Sequence, residues 1–162
     1  MADQDIERVV NHYDRTPATI RVLVTGSREW VDRDAIRDAL LAVGAAHGAD
    51  PAAILVVHGG ARGADRIAAS VAMELGMRVE AHSADWPQHG RSAGFRRNER
   101  MVMLGAHRCV AFALAWDSGT GHCARMARDA DIPTVDYGVD TRAERHMTPS
   151  DAEQPVLFEV AS

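Results

Sequence analysis

The chain has 162 residues, 46% of them hydrophobic, and a formal net charge of −5 at pH 7. This length suits one domain with a sizeable core, and no apolar run approaches the roughly 18 residues that cross a membrane. The acidic balance argues against broad, non-specific binding to DNA.

Short apolar runs alternate with segments of helical periodicity along most of the chain. The runs are typical of strands buried on both faces, and they cover residues 20–25, 53–58, 78–83, 108–114 and 134–138. Helices are predicted after the capping residue Asp32, over residues 67–75, from about 92 to 104, and over 121–130. This order predicts an α/β fold, a Rossmann-like doubly wound sheet of about five parallel strands with helices on both faces.

Two flanking segments fall outside the alternating pattern. Residues 1–19 form an N-terminal extension in which residues 5–14 have helical spacing, and this helix would either dock on the sheet or make a dimer contact. Residues 20–138 form the predicted α/β domain. Residues 139–162 are rich in turn residues and form a tail that is either partly ordered or contributes an edge strand at residues 156–160.

Glycine-rich loops follow the predicted strands at the edge where open parallel sheets bind ligands. The stretch "VVHGGARGAD" places Gly59, Gly60 and Gly63 just before a helix. Glycine lets a phosphate approach the backbone, and a helix N-terminus presents free N–H groups to an anion. The alternative is a tight turn with Asp65 as a helix cap. Neither the GxGxxG nor the Walker A spacing is present, and all eighteen basic residues are Arg, which excludes a P-loop lysine.

Candidate ligand contacts come from the loops at this same edge. The polar and charged candidates would meet phosphate, ribose or base, although each arginine has a solvated alternative and Asp65 is either a cap or a ribose acceptor. Tryptophan would stack on a base or serve as lid or core, and Trp30 is a weaker candidate than Trp86 or Trp116. No metal site is expected, because the histidines lack ligand spacing. The predicted ligand-binding residues are Gly26, Ser27, Arg28, Gly59, Gly60, Arg62, Gly63, Asp65, Trp86, Arg97, Asn98, Ser118, Gly119, Thr120 and Gly121.

Four motifs occur in order with compatible spacing: "RVLVTGSREW", "VVHGGARGAD", "ADWPQHGRSAGFRRNERMV" and "DSGTGHCARMARDADIPTV". Over roughly residues 20–138 they resemble the YspA-like family of the SLOG superfamily, a group of Rossmann-like nucleotide-binding domains. Its relatives include the Lonely Guy phosphoribohydrolases, the DNA-processing protein DprA and sensor domains for NAD-derived nucleotides. The resemblance implies a nucleotide or nucleotide-sugar ligand, such as an ADP-ribose derivative.

The Lonely Guy motifs give a sharper comparison. "GFRRNERM" places Arg97 on the family's arginine but Asn98 on its lysine, and "DSGTGHC" places Cys123 on its catalytic glutamate. Cleavage of an N-glycosidic bond requires a carboxylate to stabilise an oxocarbenium-like state or to activate water. The candidates for catalytic roles are therefore Arg97 together with Asp65 or Asp117, with Asp85 as a further source of a carboxylate.

Three functions follow from these residues. The first is a small-molecule nucleotide-binding module that acts as a sensor or sequestering protein, and the absent glutamate favours it over an enzyme. The second is a nucleotide-processing hydrolase. The third is a single-stranded DNA-binding protein, which the arginine-rich residues 91–108 beside Trp86 favour and the net charge disfavours.

Partners and location are expectations of the same kind. We expect a small-molecule nucleotide as partner, a homodimer through residues 5–14 or 92–104, and neither nucleic acid nor a membrane. The cysteines number two, Cys109 and Cys123, and the chain starts without the apolar core of a signal peptide. We therefore expect a cytoplasmic protein without a disulfide framework.

Overall fold

Five strands form one parallel sheet in the computed structural model, which describes residues 19–114 and 119–138. The strand order is β3-β2-β1-β4-β5, and every neighbouring pair is parallel. Each predicted strand is present, but the last three end two residues earlier than predicted, because the chain turns into loops at the sheet edge. The strands are β1 (Ile20–Gly26), β2 (Ile54–His58), β3 (Arg78–Ala81), β4 (Arg108–Phe112) and β5 (Thr134–Asp136).

The helices lie on both faces of the sheet, as predicted. Asp32 caps the first helix by accepting from the Ala35 amide at 2.9 Å, and Gly48 ends it in a left-handed conformation. The predicted loop after β3 contains a short helix and a turn of 3-10 helix at Gly90–Ser92. The helices are α1 (Arg33–His47), α2 (Ala64–Glu74), α3 (Trp86–His89), α4 (Ala93–Met103) and α5 (Gly119–Asp129), with a further 3-10 turn at Pro51–Ala53.

Alternate strand residues point into two separate hydrophobic layers. On one face, α1 and α2 pack against β1, β2 and β4 around side chains such as Leu40 and Val71. On the other face, α4 and α5 pack around Leu23, Met101 and Cys123. The strands are therefore covered on both sides, which explains their uninterrupted apolar sequences.

Trp30 belongs to the first hydrophobic layer. Its ring lies 5.3 Å from that of Phe112, its indole N–H donates to the Asp32 carbonyl at 2.8 Å, and only 5% of the residue is exposed. Of the alternatives that the sequence left open for Trp30, base stacking or a lid or core role, the structure shows the core. A buried aromatic ring with a satisfied N–H is a core residue.

The chain crosses from one face of the sheet to the other between β3 and β4. Because β1 lies between β2 and β4, the connections that leave β1 and β4 run to opposite faces and open a crevice at their carboxyl ends. Two backbone bonds lock this corner: Ser27 N donates to Phe112 O at 2.8 Å, and Ala64 N donates to Ser27 O at 3.1 Å.

The predicted N-terminal helix and C-terminal edge strand lie outside the described residues. Within residues 19–114 and 119–138, none of the helices has the length and apolar character needed to span a bilayer.

Gly63 is required where α2 begins against the end of β1. Its φ is +75°, and a Cβ there would lie 2.4 Å from the carbonyl oxygens of Ser27 and Arg28. Gly63→Ala is expected to lower the free energy of unfolding by about 2–4 kcal/mol, since it combines an unfavourable φ with a backbone clash. Urea unfolding measures this change.

Gly60→Ala provides the matched control. Gly60 also has a positive φ, +70°, but a Cβ there would meet no atom within 4 Å. This variant should cost only about 1–2 kcal/mol. If Gly63→Ala and Gly60→Ala lowered the free energy of unfolding equally, the clash of the added Cβ with the β1 loop would contribute nothing to stability.

Candidate functional site

A chain of hydrogen bonds crosses the carboxyl edge of the sheet and begins at Asp65. This residue lies in the first turn of α2 and is 4% exposed. Its carboxylate accepts from the amides of Gly59 at 2.9 Å and Ala61 at 3.2 Å. Asp65 therefore holds the glycine loop, residues 59–63, which precedes its own helix. Gly63, and not Asp65, occupies the N-cap position of α2.

Arg97 continues the chain of hydrogen bonds to the opposite face. Its Nη1 donates to the carbonyl of Gly59, and its Nε donates to Oδ1 of Asn98 at 2.9 Å. The buried Asn98 amide in turn donates to the Gly119 carbonyl at 3.4 Å. The glycine loop, α4 and the start of α5 are thus joined by side chains that lie next to one another in sequence.

The first three amides of the glycine loop donate to protein groups. Besides the two amides on Asp65, the Gly60 amide donates to Nδ1 of His58 at 3.0 Å. Gly59 has a further reason to be glycine, since a Cβ there would overlap the Arg97 guanidinium, with its closest atom at 2.2 Å. The glycines of this loop thus permit close packing within the protein, and the groups that face outward near them are arginines.

An aromatic cleft opens at the crevice between β1 and β4, with a volume of about 360 Å³. This size lies near the lower end of the range of small-molecule sites, which runs from about 300 to 1,000 Å³. Its walls combine apolar side chains with polar groups from four loops and helices. They are Val24, Thr25, Gly26, Ser27, Arg28, Ala61, Asp65, Trp86, Arg91, Gly94, Phe95, Arg97, Asn98, Met101, Gly119 and Thr120.

An arginine cleft of about 430 Å³ lies beside the aromatic cleft. Four arginines line it and no carboxylate does, so its potential is positive. Its lining residues are Arg28, Gly59, Gly60, Ala61, Arg62, Arg66, Ser83, Ala84, Trp86 and Arg97.

The two clefts share a boundary formed by Arg28, Trp86 and Arg97, together with Ala61. The Arg28 guanidinium lies 5.9 Å from the centre of the Trp86 ring, within the range of a cation–π contact. Trp86 remains 49% exposed, so a large aromatic face is open at this boundary.

Burial shifts the titration of several groups around the clefts. Desolvation raises the pKa of Asp65 to about 6, against the opposing effects of the two amides, Arg97 and Arg28. Burial, with Arg97 and His82 nearby, lowers the pKa of His58. Desolvation raises the pKa of Cys123 to about 11, so this thiol is neutral near pH 7.

Most of the predicted site residues meet at these clefts. The aromatic cleft gathers nine of them and the arginine cleft adds Gly59, Gly60 and Arg62. Gly63 and Gly121 line neither cleft: Gly63 packs on the β1 loop and Gly121 is buried in α5. Asp117, Ser118 and Trp116 lie outside the described residues.

Sequence reasoning missed several lining residues, above all Arg66, Arg91, Phe95 and Met101. A signal was present for Phe95 and Met101, because residues 94, 95, 98 and 101 share one face of α4. Arg66 directly follows Asp65, and no spacing in the sequence indicates that it lines the cleft.

The described residues contain no group of three or more His, Cys, Asp or Glu side chains placed to hold a metal ion.

The chain is similar to known sequences over the part that builds the clefts. Residues 20–89 match the model of the YspA, cpYpsA-related SLOG family. The Gene 61 protein of Mycobacterium phage D29 is 48% identical over 125 residues, which cover 73% of this chain and 96% of that protein. No solved structure matches the chain.

The raised pKa of Asp65 makes stability depend on pH. Because the folded protein binds this proton more tightly than the unfolded chain, whose value is near 3.8, the contribution of Asp65 is largest below about pH 4. It is lost as the pH rises through about 6. The free energy of unfolding of the wild type minus that of Asp65→Asn should fall by on the order of 3 kcal/mol between pH 4 and pH 8.

Chemical denaturation of both proteins across this pH range measures the effect. Asp38→Asn removes an exposed carboxylate from α1 and controls for the change in net charge. If the difference in unfolding free energy between wild type and Asp65→Asn did not change with pH, the raised pKa of Asp65 would be contradicted.

Proposed function

The chain belongs to the YspA, cpYpsA-related SLOG family, and we propose that it binds a nucleotide or nucleotide-sugar at the carboxyl edge of its sheet. In this proposal the protein is a binding module that senses or sequesters its ligand. The family and the fold support a nucleotide as the ligand. The two clefts indicate where the ligand would bind.

The observation that carries the proposal is the shared boundary of the two clefts. Trp86 offers an exposed ring for a base or ribose, and Arg28 and Arg97 flank it with guanidinium groups suited to phosphate. A nucleotide has the same pairing of a flat, partly apolar base with an anionic phosphate. The crevice at the switch point of a doubly wound sheet is also where such ligands bind.

The chemistry of the groups available for hydrolysis favours a binding protein over an enzyme. By the resemblance to the Lonely Guy motifs, Cys123 falls on their catalytic glutamate. This thiol is fully buried, and its raised pKa keeps it neutral near pH 7. A neutral buried thiol neither stabilises an oxocarbenium ion nor activates water. The Asp65 oxygen that accepts two amides is engaged in holding the glycine loop.

An NMR time course with AMP, ADP-ribose and cyclic ADP-ribose tests the proposal. The expected result is broadening or shifting of ligand resonances without new peaks. The absence of any change with all three ligands, and with other nucleoside phosphates, would contradict nucleotide binding.

Arg97→Ala is expected to weaken nucleotide binding by about 1.5–3 kcal/mol, since a charge-assisted contact to phosphate is removed. Isothermal titration with the ligand found by NMR measures the change. Arg100→Ala is the matched control, because Arg100 is exposed on the same helix and lines neither cleft. Similar affinities for Arg97→Ala and Arg100→Ala would remove Arg97 from the site.

A nucleotide-processing hydrolase is the second candidate, and the position of Asp65 favours it. This carboxylate lines the aromatic cleft, and a pKa of about 6 suits a general acid or base. If the time course produces new ribose or base peaks, Asp65→Asn should abolish them while ligand binding persists. Unchanged turnover in Asp65→Asn would exclude Asp65 as the catalytic group.

The homodimer predicted from the sequence stays a prediction. Met103 and Leu104, at the end of α4, are 87% and 54% exposed, and they belong to the predicted contact over residues 92–104.

A further inference from the structure

Four arginines line the arginine cleft, and they differ in whether a carboxylate is paired with them. Arg62 is paired with Glu29, and both side chains are largely exposed. Among the described residues, no carboxylate lies within ion-pair distance of Arg28, Arg66 or Arg97. Arg28, Arg66 and Arg97 therefore line the cleft without an ion-pair partner among the described residues, while Arg28 and Arg97 also act at longer range on the Asp65 carboxylate.

These three arginines occupy different positions relative to the clefts. Arg28 and Arg97 line both clefts, whereas Arg66 lines only the arginine cleft. A phosphate at the boundary, attached to a nucleoside in the aromatic cleft, would be reached from Arg28 and Arg97. Arg66 would then have no phosphate to contact.

The lining residues of the arginine cleft also indicate what it accepts. Besides four arginines, the cleft is lined by glycine, alanine and serine residues, with Trp86 at its boundary with the aromatic cleft. The amides of Gly59, Gly60 and Ala61 already donate to Asp65 and His58. The charged donors that this cleft offers are therefore its guanidinium groups, which bind phosphate oxygens in pairs.

We propose that the ligand carries two phosphates in line, with its base in the aromatic cleft, its first phosphate between Arg28 and Arg97, and its second phosphate in the arginine cleft at Arg66. The inference rests on the proposed function and specifies the ligand class. The shared chemistry is a nucleoside diphosphate, in which the second phosphate is either terminal or bridges to another sugar.

Isothermal titration at low salt with matched nucleoside monophosphates and diphosphates of the four common bases, together with ADP-ribose, tests the proposal. At least one diphosphate should bind about tenfold or more tightly than its monophosphate, the expected gain from one further charge-assisted contact. A preference for ADP-ribose over ADP would identify a bridging second phosphate, and the reverse would identify a terminal one.

The variant Arg66→Ala distinguishes the contribution of the second phosphate to binding from that of the first. Its affinity for the preferred diphosphate should fall about tenfold, while its affinity for the corresponding monophosphate should stay within about twofold of wild type. Arg66 is exposed, and Arg100→Ala, on the surface outside both clefts, controls for the loss of one positive charge.

Glu29→Gln provides a gain-of-affinity test. It releases Arg62 from its ion pair, so the diphosphate should bind a few-fold more tightly while the monophosphate is unaffected.

Three results would overturn the inference, and they are distinguishable. Equal affinity for monophosphate and diphosphate, or an equal loss of both in Arg66→Ala, would refute it while leaving nucleotide binding intact. Binding of a single-stranded oligonucleotide that is tighter than any diphosphate and depends on Arg66 would assign the arginine cleft to nucleic acid. Failure of every nucleotide to bind would refute the proposed function itself.

Discussion

The buried carboxylate of Asp65 is the constraint on which the arrangement of the site depends. It holds the amides of Gly59 and Ala61, and the fixed loop presents the Gly59 carbonyl to Arg97. Arg97 then orients Asn98, which reaches the start of α5. Helices from opposite faces of the sheet, which pack in separate hydrophobic layers, are thereby connected above the ends of the strands.

This arrangement changes the role expected of the glycines. A glycine-rich loop before a helix is typical of phosphate binding through backbone amides. Here the close approach is between parts of the protein: Gly26 lies against Ala64, Gly63 against the β1 loop, and Gly59 against Arg97. Anion recognition then falls to the arginines at the boundary of the two clefts, which suits a chain whose basic residues are all Arg.

The sequence predicted the fold well because the signals for it are local. Apolar runs without alternation, the Asp32 cap and the repeated strand–helix order each depend on neighbouring residues. The gathering of Ser27, Arg28, Trp86 and Arg97 at one edge also followed from the general topology of parallel sheets.

The remaining features depend on tertiary contacts that no local pattern encodes. The side chain of Asp65 turns back to amides four and six residues earlier, where a helix cap was the alternative. Trp30 reaches the core because Phe112 lies on the adjacent strand β4. Arg66 faces the arginine cleft because of how α2 begins on β1, and its neighbours in sequence do not reveal this.

The most direct test of the account is a ¹H–¹⁵N NMR titration of the full chain with the best-binding nucleotide, following both backbone and side-chain N–H groups. The account predicts that the largest changes occur at the Trp86 indole and at the Nε–H groups of Arg28 and Arg97. The amides of Gly59 and Ala61 should keep their hydrogen bonds to Asp65, and their exchange with solvent should stay slow. Changes centred on the opposite edge of the sheet, around Ile20 and His107, would contradict the account, as would release of the glycine-loop amides from Asp65 to the ligand.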